Sequence, residues 1–473
     1  MAVDSTPFPR PIRTRPRFTG LLAATALGVY LLVVVGATTS LSGAASACSS
    51  WPLCTTPVDP LNQTELAIAW SHRLAAVVVG LLVAGAALAA GLGDADGRVR
   101  LTLLAALGLY AVQIGVGAVT ATMGTAAIVP GLHLTLGVLT FGVVVLALAW
   151  ELEVATGSTD DGVDVEPAPA ADAPSPEREL PDGTVARLSL TTRAYVSMTK
   201  PRLMWLLCLV AAAGMALAAG PALDAPTVVA TLLGGVLAIG ASGTFNHVLE
   251  RDVDRRMSRT ADRPLATDLV PVRNAVLFGL FLTGASLSVF LTINPLAAAL
   301  GLIAIVFYSV VYTLVLKPNT VQNTVIGGAA GALPALIGWA AVTNEIGLPG
   351  LALAGLIFLW TPAHFYNLAL AYREDYARGG FPMMPVVRGA TATRKHILYY
   401  LAGTLVSAAA LTWITDLGWL YAATVVVFGA VFLHFAVRLH FERTEAAAFR
   451  SFHASNAFLG AVLVAIVVDA LVF

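Results

Sequence analysis

The stretch Asn246–Leu265, NHVLERDVDRRMSRTADRPL, is the densest cluster of charge in a chain that is otherwise apolar. Asn246, Glu250 and Asp254 are spaced i, i+4, i+8. On a continuous helix each step of four advances the azimuth by only ~40°, which predicts one shared face. Asp252 is expected to point away from it. Arg251, Arg255 and Arg259 repeat the spacing as a neighbouring stripe, and Arg263-Pro264-Leu265 closes the stretch. Oxygen ligands beside guanidinium forks are what a Mg²⁺-bound diphosphate requires. The metal takes carboxylate and phosphate oxygens, and arginine pairs with phosphate through two parallel N–H donors. The plainer reading is a charged helix end on the inner side of a membrane, where Lys and Arg collect. That accounts for the arginines and not for the acidic stripe.

The rest of the chain places this island in lipid. Of its 473 residues 58% are hydrophobic and 12% charged, with a mean hydropathy of +0.81. A soluble chain carries about a quarter charged residues, so the expected fold class is an all-α polytopic membrane protein. The net charge of −1 gives no electrostatic case for nucleic acid, and no nucleic-acid-binding motif is present. Apolar spans long enough to cross a bilayer fall at 19–40, 67–91, 99–121 and 130–151. Nine more fall at 203–220, 226–247, 272–292, 295–316, 321–342, 348–370, 396–415, 418–437 and 454–473. Between the two sets, residues 153–190 begin EVATGSTDDGVDVEPAPAADAPSPERELPDG. Acidic, rich in Pro and Ala and short of apolar residues, this stretch reads as a disordered linker between a four-helix domain, 1–152, and a nine-helix domain, 191–473.

The N-terminus, MAVDSTPFPRPIRTRPRF, is basic and has no A-x-A cleavage site directly after the apolar span that follows. A retained first helix is expected. Putting it inside and alternating thirteen spans leaves almost every Lys and Arg inside, with the C-terminus outside, in a cell membrane. The second charged cluster, Tyr372-Arg373-Glu374-Asp375-Tyr376, then lies on the same, cytoplasmic side as 246–265, as do Lys317 and Arg388. Two acidic clusters facing one cavity could hold two faces of a metal-diphosphate. Cys48 and Cys54 flank Trp51-Pro52-Leu53 in a loop on the outer side, where a disulfide can form. Cys208 lies within an apolar span and reads as a small core residue. His72 and His133, the histidines of the first half, each lie a few residues into a span from the outer side. Two imidazoles facing each other in a four-helix bundle can hold heme iron; the alternative is a pair of hydrogen-bonded core histidines.

Over 195–473 further motifs follow in order. They are Thr199-Lys200-Pro201-Arg202, the 246–265 stretch, Tyr308, Tyr312 and Lys317, and Asn323-Thr324-Val325-Ile326-Gly327-Gly328. After them come Gly331-Ala332-Leu333-Pro334, Gly338-Trp339, Trp360-Thr361-Pro362-Ala363-His364-Phe365, and Asp375-Tyr376 with Pro382-Met383-Met384-Pro385-Val386. In these the chain resembles the UbiA-type intramembrane prenyltransferases, in the protoheme IX farnesyltransferase (heme O synthase) branch. The resemblance implies Mg²⁺ held by Asn246, Glu250, Asp254 and Asp375, with Glu374 as a further ligand. Glu250 stands where the family pattern has its middle aspartate. It implies a diphosphate bound by Arg251, Arg255, Arg259, Arg263 and Arg388 and neutralised by Lys317. The implied reaction joins a farnesyl group to the 2-vinyl group of heme B, adds water and releases diphosphate. Tyr308 and Tyr312 would shield an allylic cation or simply pack. His364 would touch heme B or be satisfied by the backbone. Residues 18–150 are similar to half of a heme A synthase through Cys48-x₅-Cys54, Ser71-His72-Arg73 and Leu132-His133. That implies a second heme on His72 and His133 and a role in heme binding or handover. Ala69 stands where that family has a glutamate. Heme-copper oxidase assembly factors are candidate partners. Two other readings compete: a UbiA-type enzyme acting on a quinone precursor or glycerol lipid, and a non-catalytic transporter, for which no internal repeat is visible.

Overall fold

A computed structural model of the chain describes residues 16–41, 44, 47–48, 50–52, 63–123, 128–157 and 183–472. Among them are helices and no strand. The helices are α1 (Pro16–Leu41), α2 (Thr64–Leu92), α3 (Gly97–Met123), α4 (Ile128–Thr156), α5 (Thr184–Met198), α6 (Pro201–Ala219), α7 (Ala225–Leu249), α8 (Arg251–Asp254) and α9 (Val272–Leu291). They continue as α10 (Pro295–Val306), α11 (Lys317–Asn319), α12 (Asn323–Thr343), α13 (Leu348–Ala371), α14 (Arg373–Arg378), α15 (Met384–Val387), α16 (Gly389–Ile414), α17 (Trp419–Glu442) and α18 (Glu445–Val472). Thirteen candidate spans are long and apolar enough to cross a membrane, as the hydropathy pattern predicts. The chain is an all-α polytopic membrane protein. Two boundaries differ from the sequence reading. Helix α4 runs on to Thr156, and α5 starts at Thr184, inside the stretch read as linker. α5 is mostly exposed and is anchored through Ala194 and Met198, which pack with Leu265, Val270 and Ala275.

The described residues form two compact units. The first holds the four helices α1–α4 together with 388–402 and 433–447. α1 packs on α2 and α4, and α3 packs on the same two, closing a four-helix bundle. Tyr30 and Phe141 are buried at its centre with ring centroids 5.3 Å apart. Val77, Leu81, Leu88, Leu101 and Leu104 face outward, an apolar surface that lipid tails solvate as well as a core would. The C-terminal end of α4 is polar and well tied. Glu153 pairs with Lys395 at 2.5 Å, Arg443 donates to the Thr156 carbonyl, and buried His440 lies 3.4 Å from the Thr156 hydroxyl. Stretches of α16 and α17 thus pack within the first unit, which the linear order of the spans does not reveal.

The second unit holds the described residues from 183 to 387 with 403–432 and 448–472. Its helices approach closely through glycine. A Cβ on Gly338 of α12 would lie 2.1 Å from the Ala211 carbonyl oxygen of α6, and one on Gly214 would lie 2.5 Å from that of Ala335. Small residues at such crossings let membrane helices gain dispersion energy that side-chain burial alone does not supply in lipid. Gly338→Ala is therefore expected to cost about 1–3 kcal/mol, read as a lower melting temperature in detergent. An unchanged melt would contradict the close approach.

Between α10 and α11, Phe307–Leu316 winds as a π-helix. Residues nine apart on an α-helix lie on opposite faces, roughly 180° around. The wider i→i+5 turn makes nine residues about two turns. Tyr308, Tyr312–Thr313 and Lys317 therefore fall on one face. The Tyr308 and Tyr312 rings lie 5.6 Å apart, and Gly327 leaves room for the Tyr312 ring, whose Cδ2 would be 2.6 Å from a Cβ there.

Candidate active site

The π-helical face and the end of α7 meet in one buried cluster. α7 stops at Leu249, and Glu250 leaves the helical path at φ −99°, ψ 4° before the single turn of α8. The unbroken face expected over 246–254 is thus corrected to two short faces. Asn246, Glu250 and Asp254 are nonetheless all buried, at 2, 5 and 2% exposure. Each is matched to a cation or donor. Lys200 donates to the Asn246 side-chain oxygen and, at 3.2 Å, to the Tyr308 hydroxyl. Asn246 donates to the Thr313 hydroxyl at 3.2 Å. Lys317 lies 2.5 Å from Glu250 and 4.3 Å from the Phe381 ring centroid. Arg263 grips both Asp254 oxygens at 2.9 and 2.8 Å and stands 3.7 Å from Glu250.

Charge and burial set the ionisation here. Burial alone would push the Glu250 carboxyl up, but Lys317, Lys200 and Arg263 hold it below its ordinary value. For Asp254 burial wins over Arg263 and raises it. Burial, with help from Arg263, brings the Lys200 ammonium down to about 8. A carboxylate group that buries its charge among cations is stabilised only while those cations stay in place.

Asp375 does something different. It accepts from the Ser258 amide (2.8 Å) and hydroxyl (2.7 Å), the Arg259 amide (3.2 Å) and Arg378 (2.7 Å). Burial opposes its ionisation, yet the bonds from Arg378 and Ser258 hold its carboxyl below the usual range. It braces the loop that carries Arg259 and Arg263. Arg259 lies over the rings of Tyr372 and Tyr376, 5.0 and 5.5 Å from their centroids, a cation–π position.

Other predicted residues are not brought in. Arg251 and Arg255 pair with Asp268 at 3.3 and 2.6 Å, and Arg255 also donates to the Ala266 carbonyl. The break at Glu250 turns their stripe toward the 265–268 turn. Glu374 and Arg388 are exposed, and Arg388 falls in the first unit. Conversely, Lys200 and Ser258 escaped the sequence reading of the site. Lys200 had two signals: it is one of three lysines, and it directly precedes Pro201 at the start of a span. In the structure it adopts φ 56°, a left-handed backbone that a non-glycine residue keeps only where its surroundings demand it.

An apolar cleft opens from this cluster. Lys200, Tyr308, Ser242 and Gly243 line it at one end, and α6, α7, α10 and α12 form its walls. Among the described residues no three His, Cys, Asp or Glu side chains are arranged to hold a metal. The donor chemistry suits a hard divalent cation, since Asn246, Glu250 and Asp254 present oxygens, as such ions require. Those oxygens are presently engaged by lysine and arginine.

The histidines fall into two settings. His364 is stacked between Trp360 and Phe452, centroids 4.2 and 4.3 Å away, and its Nδ1 lies 2.6 Å from the Ser455 hydroxyl. In the first unit the His72 and His133 rings lie 6.5 Å apart in an edge arrangement, their planes at 70°, and the Nδ1 of each is buried without a hydrogen-bond partner. Gly36 and Gly117 back them, with room for a Cβ only 3.2 and 3.1 Å from the rings. Cys48 is disulfide-bonded; Cys54 lies outside the described residues.

A helical membrane bundle with a buried cluster of acids and bases at the mouth of an apolar cleft is the setting for chemistry on an amphiphilic anion. The chain belongs to the UbiA prenyltransferase family, which matches residues 206–462. Residues 19–171 match a second family, described as cytochrome oxidase assembly protein. The chain is 63% identical over 459 residues to a protoheme IX farnesyltransferase of Haloarcula marismortui, covering 96% of this chain and 98% of that one. It is 42% identical over 297 residues to a protoheme IX farnesyltransferase of Mycobacterium sp. (strain KMS), covering 62% of this chain and 95% of that one. The solved structure of a digeranylgeranylglyceryl phosphate synthase shares the fold, with a TM-score of 0.51 at 15% identity over 60% of this chain and 100% of that one.

Proposed function

We propose that the chain converts heme B to heme O by moving a farnesyl group from farnesyl diphosphate to the 2-vinyl group of the porphyrin. The observation that carries this is the joint membership of Lys200 and Tyr308. Both belong to the charged cluster and both line the apolar cleft, so a diphosphate at the cluster would have its isoprenoid tail in the cleft. The relatives named above support the heme acceptor. The Mycobacterium protein is matched over 95% of its length by 297 residues of this chain, too few to include both matched regions, so the named activity does not need the first four helices.

Lys200, Lys317, Arg259 and Arg263 bind the diphosphate, Lys317 and Arg263 by exchanging their carboxylate partners for phosphate oxygens. Asn246, Glu250 and Asp254 would hold Mg²⁺, which when bound neutralises charge on the leaving diphosphate. Asp375 keeps the Arg259–Arg263 loop in position. The C1–O bond of the farnesyl diphosphate breaks with its electron pair leaving on diphosphate. The ring faces of Tyr308 and Tyr312, tilted 33° to each other, stabilise the allylic cation. The vinyl carbon of heme B forms the new C–C bond, and the cation left beside the porphyrin takes water and releases a proton. The site loops and the N-terminus lie on the cytoplasmic side of the cell membrane and the C-terminus outside, a topology supported by the Lys and Arg distribution.

The test is made with purified protein, heme B, farnesyl diphosphate and Mg²⁺. A heme carrying a hydroxyethylfarnesyl group, seen by chromatography and mass and lost on adding EDTA, is the expected result. Transfer to a quinone precursor with none to heme B would replace this reading by another prenyl acceptor.

The first unit supports a second, separate role. The His72 and His133 rings lie 6.5 Å apart at 70° to each other, and these two side chains would hold a heme through ring nitrogens. A ring nitrogen buried without a partner is costly, and a metal bond to these rings would offset that cost. This unit holds or hands on heme.

A further inference from the structure

The hydrogen bonds around His364 fix which of its nitrogens is free. On one face its ring stacks on Trp360, whose indole N–H is anchored to the Ser455 carbonyl of α18 at 3.0 Å. On the other face lies Phe452, also of α18. The partner in the ring plane is the Ser455 hydroxyl, 2.6 Å from Nδ1. That hydroxyl is also 2.7 Å from the Phe452 carbonyl oxygen. A carbonyl only accepts, and two oxygens this close with no hydrogen between them would repel, so the single hydroxyl proton of Ser455 points to Phe452. Nδ1 therefore donates to Ser455, and in the neutral imidazole the lone pair lies on Nε2. Trp360 and Ser455 are buried, whereas His364 is only partly so. With both faces covered and Nδ1 occupied, the edge left open is the one that carries Nε2.

Resting on the reading of heme B as the acceptor, we propose that His364 is the axial ligand of the acceptor's iron, bound through Nε2, with Ser455 as the positioning residue that fixes the ring. A ligating histidine donates its other ring N–H to a nearby acceptor, which sets the tautomer and makes the free nitrogen a better ligand. The carboxylate that orients an imidazole used for proton transfer is not among the groups that hold this one. The depth of His364 also suits the reaction. Gly327 of α12 meets the Tyr312 ring, and its neighbour Gly328 meets Thr361 of α13, whose Cβ would lie 3.2 Å from a Cβ there. Thr361 comes three residues before His364, about 4.5 Å of helix rise. An iron on His364 is therefore within about one helical turn, in depth, of the tyrosines proposed to stabilise the cation. Porphyrin and cation meet at one level of the bundle.

The experiment uses the full chain carrying His72→Ala and His133→Ala, which removes the histidine pair of the first unit, titrated in detergent with heme B. The readouts are heme affinity and the iron–imidazole stretch of the ferrous complex by resonance Raman. The stretch is expected in this background. Adding His364→Ala is expected to abolish it and to weaken heme binding by about tenfold or more. Exogenous imidazole, entering the slot between Trp360 and Phe452, is expected to restore it. Ser455→Ala leaves the ring in its stack and serves if the His364 variant does not fold. It is expected to keep the stretch, lower its frequency and weaken binding about tenfold, the scale of a lost orienting hydrogen bond. No heme B bound by the background chain, an unchanged stretch in His364→Ala, or a stretch at the background frequency in Ser455→Ala overturns the site. Loss of farnesyl transfer in His364→Ala with the stretch intact overturns it too, and gives the imidazole to the proton released on water addition. A stretch that depends on His364 in a chain that moves no farnesyl to heme B would overturn the proposed reaction and leave the ligand standing.

Discussion

Asp254→Asn is expected to lower kcat/KM for prenyl transfer by about 10²–10³, the scale seen when one preorganised charge is removed from a buried site. The carboxylate is 2% exposed and holds Arg263 through both oxygens. Asparagine keeps the shape and loses the charge. It offers the metal a weaker ligand and frees Arg263 from a bidentate anchor, so metal and diphosphate are both held less well. Folding is expected to survive, because the Thr260 hydroxyl still bonds the backbone carbonyl of residue 254 and asparagine keeps the side chain's shape. Asp252 provides the contrast. It lies two residues away with its side chain 77% exposed, and Asp252→Asn is expected to leave the rate within about twofold. The measurement is steady-state prenyl transfer by both variants alongside their melting temperatures. Wild-type turnover by Asp254→Asn would remove the central residue of the proposed site, and equal losses in both variants would point to general disturbance of the loop.

The contrast between Asp252 and Asp254 was visible in the sequence, because a spacing of four survives one break in a helix. The fate of Arg251 and Arg255 was not. Glu250 carries no proline or glycine to mark the break, and the turn that redirects their stripe toward Asp268 depends on packing rather than on local propensity. Lys200 was hidden for another reason. It reaches Asn246 from the start of a different helix, and a contact across 46 positions leaves no periodicity to read. Lys317 was legible as a charge on the expected side, but its place on one face with Tyr308 required the π-helical winding of 307–316, since α-helical counting puts the two on opposite faces. Asp375 was recognised as acidic and near the cluster. That it satisfies the loop's amides depends on the path of residues 255–263, which regular secondary structure does not dictate. The thirteen spans were readable throughout because hydropathy over about twenty residues is a bulk property that no single contact overrides.

His72→Ala and His133→Ala are each expected to abolish the low-spin absorption of a bis-imidazole heme in the purified, heme-loaded chain. Two axial ligands are needed for that spectrum, so either loss is complete rather than partial. Prenyl transfer is expected to stay within about threefold, because neither ring belongs to the second unit. A purely packing role makes the opposite forecast. Truncating a buried ring would then cost about 3–5 kcal/mol through the cavity left behind, and the melting temperature would fall with the heme spectrum indifferent to which histidine was removed. Exogenous imidazole separates the two. It can enter the space vacated in His72→Ala, between Gly36 and the facing His133, and supply the missing nitrogen. Recovery of the low-spin spectrum on adding imidazole requires an iron between the two positions. If neither variant changes the spectrum, the pair does not hold the heme, and the first unit's similarity to an oxidase assembly protein must rest on something other than these two side chains.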